Sequence, residues 1–483
     1  MNIVDPILYQ CRQRPTTAAI CCPGTKFEAI SYGRLERFIH NISRQARAAG
    51  IVRGNVVAIL MADKILHVAL TLALMRLGAV TVSARHEKLP NELDIDVAIS
   101  DAPRSFENAK RVIVADQMWT MGDGKPPPEE HLHRSTPDDV CRIMLTSGTT
   151  GGAKGVAFTH RMLLDRMLHY DVAKGPGFAF CERLYCDLGL TTAAGFRHLL
   201  YMLMKGGTIF FYGDDAVSTL QSFDLYKVQA MIASTYALGE YLKFFESHGD
   251  FHCHFDYISA GGAIVSKAMS ERIRARMGTN LVITYGSTEA GSVASAQAHL
   301  IADVPRAVGY VAPWMNVEIV DDGGRVLPPG KEGAVRIRGP YNVAGYVGDP
   351  LATARAFRDG WFHPGDIGYL TADRLLAITG REDAVLNIGG DKVSPEVTEE
   401  VLTSFPGVDQ AAVFTVADEL GIGVLCAAIV AAAPWDEAAL RGHCAQHVPG
   451  VYIPERIVSV DKIPRNEFGK IDRQALRELA KII

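Results

Sequence analysis

Apolar positions along the chain fall into short periodic blocks. Leu66, Ala69, Leu70, Ala73, Leu74 and Leu77 recur at helical spacing, which predicts a buried helix face. The apolar runs at 56–60 and 79–82 flank it and read as short buried strands. Strand, helix and strand in that order favour a parallel sheet. A second α/β region continues to about residue 300, and the run at 140–144 predicts a strand. From about residue 305 the texture changes. Blocks at 317–320 and 334–338 cluster β-formers between Gly and Pro turns, which predicts a small, mainly β unit. The last hundred residues mix β-rich runs at 411–416 and 425–430 with two helices. One opens at Ser394-Pro395-Glu396, a cap, a proline at the first helical position and an early acid. The other opens at Asp472 and carries Leu476 and Leu479 inward.

Length and charge narrow the classes. At roughly 100–200 residues per domain, 483 residues make more than one unit. A 48% apolar content supplies a core, and a net charge of −5 provides no global field for nucleic acid or anionic lipid. The apolar stretches 65–75 and 424–433 are shorter than a bilayer span, which needs about 20 residues. Nine cysteines without a CxxC pair fit a reducing compartment better than a disulfide framework. No basic, then apolar leader opens the chain, so a soluble, cytoplasmic chain is the expectation. Nothing in the pattern speaks to oligomeric state.

The most informative stretch is Leu145-Thr146-Ser147-Gly148-Thr149-Thr150-Gly151-Gly152-Ala153-Lys154-Gly155. Glycines let backbone N–H groups converge on an anion, hydroxyls add donors, and the lysine adds a point charge. It is not a Walker loop, because Ala153 and Gly155 stand where that pattern has Gly and Ser or Thr. His252-Cys253-His254 is a poor metal site, since adjacent strand residues point to opposite faces and no second cluster completes it. No Gly-x-Ser-x-Gly elbow surrounds Ser287.

The glycine-rich run resembles the signature of the adenylate-forming superfamily: acyl- and aryl-CoA synthetases, adenylation domains of peptide synthetases, and luciferases. Four further motifs follow in that family's order. Tyr285-Gly286-Ser287-Thr288-Glu289 resembles the segment flanking adenine and holding magnesium. Gly360-Trp361-Phe362-His363-Pro364-Gly365-Asp366 resembles the segment whose Asp binds ribose hydroxyls. Gly380-Arg381-Glu382-Asp383 resembles the hinge, with Arg381 near ribose and phosphate. Pro464-Arg465-Asn466-Glu467-Phe468-Gly469-Lys470-Ile471 resembles the loop of the catalytic lysine. The resemblance implies a multidomain α/β fold. Residues 1–382 would form a large N-terminal AMP-binding domain of two α/β subdomains plus a β-rich subdomain. Residues 383–483 would form a small mobile C-terminal α+β lid hinged at Asp383.

It also implies roles. ATP would be held by Thr146, Ser147, Gly148, Thr149, Thr150, Gly151, Lys154, Gly261, Tyr285, Gly286, Ser287, Thr288, Asp366, Arg381 and Lys470. Catalysis would rest on Lys154, Glu289 and Lys470, with Glu289 on Mg2+. The acid pocket would involve Thr191, Thr192, Tyr236, Ser259, Ala260, Gly262 and Thr284. These residue types suit the chemistry: a carboxylate attacks the α-phosphorus of ATP, and the barrier is largely charge repulsion and positioning. Ile388-Gly389-Gly390-Asp391-Lys392 resembles the CoA-ligase form of the loop after the hinge, with Gly389 and Gly390 beside the pantetheine of CoA. The expected partners are therefore a small carboxylic acid and CoA. An enzyme loading an acyl carrier protein and a degenerate nucleotide-binding homologue remain the alternatives. An amino-acid adenylation domain would carry an Asp for the substrate ammonium, and Cys186-Asp187 is only superficially similar. Departures are Thr192 where the family often has His, Ala153 where proline is usual, and a short segment 84–101.

Overall fold

In the computed structural model, residues 2–25, 28–128, 135–146, 153–169, 174–213, 215–248, 253–382, 386–388, 391–417, 423–432, 434–466 and 470–480 are described. Ser147, Gly148, Thr149, Thr150, Gly151, Asp383, Gly389, Gly390 and His252 lie outside them.

The first sheet has six strands, in the order Val112–Val114, Val97–Ser100, Val56–Leu60, Val80–Ser83, Val140–Leu145 and Gly155–Thr159. All neighbours are parallel except the last pair, which forms a hairpin. The predicted crossover helix spans Lys64–Arg76 and is capped by the Asp63 carboxylate, which accepts from Leu66 N at 2.9 Å. It is buried from Ile65 through Met75 on every side. Its apolar pattern therefore marks a helix enclosed between its own sheet and the helix Tyr32–Ala48 rather than an amphipathic one.

The second sheet is longer. Its parallel centre runs through Thr208–Phe210, Arg183–Cys186, Ala230–Ser234, Tyr257–Gly261 and Leu281–Ser287. From there it continues antiparallel through Gly291–Gln297 and Ala307–Val311. The unit expected after residue 305 exists as strands Asn316–Val320, Gly333–Arg338, Asp366–Leu370 and Leu375–Arg381, with a core around Val317, Val335, Ile337 and Leu376. It is not a separate sheet. Leu375–Arg381 pairs with Ala307–Val311 and extends the second sheet.

The C-terminal unit is α+β. Val408–Ala417 and Gly423–Ala431 pair antiparallel, and Arg456–Ser459 adds a parallel strand. Alternation along these strands supplies two cores: Val413, Leu425, Ala427 and Ile429 face one side, and Ala412, Phe414, Cys426 and Ala428 the other. Helices Pro395–Ser404, Glu437–His447 and Arg473–Ala480 cover them. Two details differ from expectation. Ser394 does not cap its helix, because its hydroxyl donates across to Thr379 O at 3.0 Å and to Glu396. Leu476 is buried, but Leu479 is exposed, since only one turn of that short helix rests on the sheet.

Among the described residues no helix is long and apolar enough to cross a membrane. All nine cysteines are buried thiols, and no group of three or more His, Cys, Asp or Glu residues gathers at one point among the described residues.

Candidate active site

The glycine-rich loop leaves the first sheet at its hairpin. Leu145 pairs with Gly155, and Thr146 N donates to Lys154 O at 2.9 Å. Lys154 N in turn faces Thr146 Oγ1 at 3.4 Å. The neck of the loop is thus closed by its first and last candidate residues. Lys154 Nζ lies 5.0 Å from the centroid of the Tyr346 ring, and the Tyr346 hydroxyl donates to Glu289 Oε1 at 2.8 Å. Burial and the neighbouring Glu289 raise the Tyr346 hydroxyl above its ordinary range, so it stays a donor. Val347 N donates to Gly155 O at 2.8 Å, and Val343 N to Glu289 O at 3.0 Å. One segment therefore ties the phosphate loop to the glutamate.

Glu289 is buried in the turn of the hairpin between Leu281–Ser287 and Gly291–Gln297. Gly286 must be glycine, because a Cβ would sit 2.1 Å from Gly291 O. Ser287 Oγ accepts from Ala290 N at 3.1 Å and shapes the turn. Arg166, from helix His160–Leu168, reaches behind it. Its guanidinium donates to Thr288 O, Glu289 O and Tyr341 O at 3.0, 2.9 and 2.6 Å.

At the far side, the strands bearing Asp366 and Arg381 pair directly. Arg381 meets the buried Asp366 carboxylate at 3.1 Å, and Tyr285 donates its hydroxyl to the other oxygen. Burial and Asp366 push the Tyr285 hydroxyl well above its usual value. Tyr285, Asp366 and Arg381 thus form one cluster, reached from motifs far apart in the chain.

The candidate acid-pocket residues divide. Ser259 and Thr284 lie on the same face of neighbouring strands, and Lys174 Nζ contacts both hydroxyls at 2.8 Å. Gly261 stands beside Thr284, where a Cβ would be 3.0 Å from Thr284 O, and Gly262 is exposed with φ +89°. Ala260 points the other way, into the core with Leu238 and Ile283, as period-two alternation requires. Thr191 accepts from Arg85 Nε at 2.8 Å. Thr192 caps helix Ala193–Lys205: its hydroxyl accepts from Gly195 N at 2.9 Å and donates to Leu188 O at 2.8 Å. Asp187 accepts from Tyr241 at 2.8 Å and Tyr185 at 3.3 Å, two buried tyrosines. It is therefore engaged by hydroxyl donors.

Lys470 follows the last motif's loop, with Asn466 N donating to Lys470 O at 2.8 Å and Lys470 N to Asn466 Oδ1 at 3.1 Å. Arg465, in the same motif, faces the N-terminal region. Arg465 stacks its guanidinium 4.4 Å from the ring centroid of Tyr236, at the start of helix Thr235–Ser247. Ion pairs of Lys243 with Asp409 at 2.6 Å and Arg306 with Glu400 at 3.4 Å hold the same orientation.

Sequence reasoning missed Tyr346, Arg166, Lys174 and Arg142. Arg142 is wholly buried, bonded to Thr81, Ser83 and Leu190 O, and joins the phosphate-loop strand to the segment before Thr191. The available signal was a cation inside an apolar run, as in Val140-Cys141-Arg142-Ile143-Met144. Such a residue must be buried and hydrogen-bonded.

An AMP-binding enzyme family matches residues 8–347, and the AMP-binding enzyme C-terminal domain matches 397–470. A feruloyl-CoA synthase from an Amycolatopsis species is 28% identical over 486 residues, covering 96% of each chain. A fatty acid–[acyl-carrier-protein] ligase from Streptomyces coeruleorubidus is 27% identical over 515 residues, covering 99% of this chain and 96% of the relative. The fold superimposes on an o-succinylbenzoate CoA synthetase from Bacillus subtilis, solved with its acyl-adenylate, with a TM-score of 0.83 at 21% identity and 98% coverage of both chains. With the first match spanning well over half of its length, the chain belongs to the AMP-binding enzyme family, the adenylate-forming enzymes.

Proposed function

We propose that the protein is an AMP-forming acid–thiol ligase. It activates a carboxylic acid with ATP to an acyl-adenylate, releases pyrophosphate, and passes the acyl group to the thiol of CoA. The observation that carries this is the convergence of Lys154, Tyr346 and Glu289 through direct contacts, beside a Tyr285–Asp366–Arg381 cluster.

Lys154, at the neck of the phosphate loop, places a cation toward the β- and γ-phosphates. Asp366 accepts hydrogen bonds from the ribose hydroxyls, and Arg381 holds that carboxylate ionised and oriented. Lys470 brings its ammonium to the α-phosphate, where charge builds as the acid attacks. Arg465 on Tyr236 keeps that loop facing the site. Glu289 would hold the magnesium ion, which supplies neutralising charge to the phosphate oxygens. A single buried carboxylate fits a cation that keeps waters and shares its coordination with substrate phosphates, and no multi-ligand cluster stands among the described residues. For the second step, the domain beyond Asp383 turns, Lys470 leaves, and the Gly389–Gly390 loop approaches to pass the pantetheine.

The carrier-protein ligase among the relatives favours a second reading, in which the thiol belongs to a carrier-bound pantetheine. Dependence on ATP and CoA suits the cytoplasm. Pyrophosphate exchange over a panel of acids, followed by thioester formation with CoA or a carrier protein, tests both steps. Exchange without transfer to CoA favours the carrier; no exchange with any acid overturns the proposal.

A further inference from the structure

A small cleft, with about 20 Å3 of free room, opens at the residue after Glu289, bounded by Arg166, Arg197, Ser292, Gly291, His169 and Trp314. Ser292 pairs across the strands with Gly286, so the cleft adjoins the wall formed by Ser259 and Thr284. Its polar groups are unusual for an acyl pocket, which is ordinarily lined by apolar side chains with few polar ones. Arg166 is 7% exposed, and while its two terminal nitrogens hold backbone carbonyls, its buried Nε has no hydrogen-bond partner. Gly291 packs beside that nitrogen: a Cβ there would lie 3.5 Å from Arg166 Nε. The buried Ser292 Oγ is likewise without a partner. An unsatisfied buried donor is costly, more so when charged.

Charge points the same way. Arg166 and Arg197 both line the cleft. Lys174, seated on Ser259 and Thr284, is drawn down to about 7 by burial and again by Arg197. His198, the next residue on the helix, is held neutral by burial and by both cations. Arg197 is thus the common neighbour of a series of cations that runs from the acid wall to the cleft. Cations packed this closely in a desolvated place are destabilising unless an anion joins them.

We propose that the cleft receives a second carboxylate of the substrate, so that the acid activated here is a small dicarboxylic acid. One carboxylate meets the α-phosphate. The other lies against Arg166 and Arg197, with Ser292 donating its hydroxyl. The aromatic side is closed by Trp314 and His169, whose rings are 4.7 Å apart. The proposal rests on the reading that the chain adenylates carboxylic acids.

The test is pyrophosphate exchange with matched acids: succinate against butyrate, glutarate against pentanoate, isophthalate against benzoate. For at least one pair, kcat/KM for the diacid should exceed that of the monoacid by about tenfold or more, the range of a charge-assisted hydrogen bond. Arg197→Met should bring that ratio down toward one, and Arg197→Lys, which keeps the charge, should return it above the methionine value. Thermal melts of both variants report folding. If monoacids are preferred in every pair, or the ratio survives Arg197→Met, the dicarboxylate proposal is overturned while adenylation stands. Exchange with no acid at all overturns the adenylation reading and this proposal with it.

Discussion

At the scale of single residues, Glu289 and Tyr346 act together. Glu289→Gln removes the proposed charged oxygen ligand of magnesium and should cost ~2–4 kcal/mol of transition-state stabilisation. Exchange unchanged at limiting magnesium would remove Glu289 from the site. Tyr346→Phe leaves the carboxylate but deletes the hydroxyl that orients Oε1. Its exchange should fall about tenfold at limiting magnesium, as for one hydrogen bond to a charged group, and largely recover when magnesium is saturating. Asp187 belongs to the same scale but to stability. Burial raises its carboxyl above the ordinary 3.8, against the Tyr241 and Tyr185 hydrogen bonds that lower it. The native state therefore binds that proton more tightly than the unfolded chain. Its contribution is full below pH 3.8 and is lost as pH rises through the raised native value. Asp187→Asn keeps acceptors for both tyrosines and removes the buried charge. Melting temperatures across pH should show the variant less dependent on pH in that window and more stable at pH 7; a parallel, lower curve would contradict this.

At the scale of elements, Thr192 shows what sequence could and could not reveal. Its position in Leu190-Thr191-Thr192-Ala193-Ala194-Gly195 suggested the acid pocket, yet its hydroxyl caps helix Ala193–Lys205. Thr192→Ala should cost ~1 kcal/mol of stability, read as a lowered melt. An unchanged melt with an altered KM for the acid would make it a pocket residue instead. Elements defined by local pattern were legible: the strand Val56–Leu60 and the helix Lys64–Arg76 follow from apolar spacing, and the start of Pro395–Ser404 from the proline in its first turn rather than from a cap. So were residues in dense motifs, such as Lys154, Glu289, Asp366 and Arg381. What escaped depends on contacts between distant segments. Tyr346 reaches Glu289 across 57 positions and Arg166 reaches Tyr341 across 175, separations that leave no local period. The β-rich segment looked separate because its turns are marked by Gly and Pro, while its fusion to the second sheet depends on one pairing with Ala307–Val311.

At the scale of the whole molecule, the account requires two orientations of the C-terminal unit. The orientation seen here joins the C-terminal unit to the N-terminal region through Arg465 on Tyr236 and the Lys243–Asp409 pair. Asp383→Pro fixes φ near −65° and should impair thioester formation more than adenylation, because only the second step needs the turn. Equal loss in both would argue against a hinge at that residue. The most direct test separates the half-reactions in Lys470→Ala, assayed in one preparation with folding checked by a melt. Adenylation should fall ~100-fold or more, about 2.7 kcal/mol, while thioester formation from supplied acyl-adenylate is largely spared. A fall by the same factor in both steps would contradict the account, because Lys470 would then serve both reactions or merely support the structure.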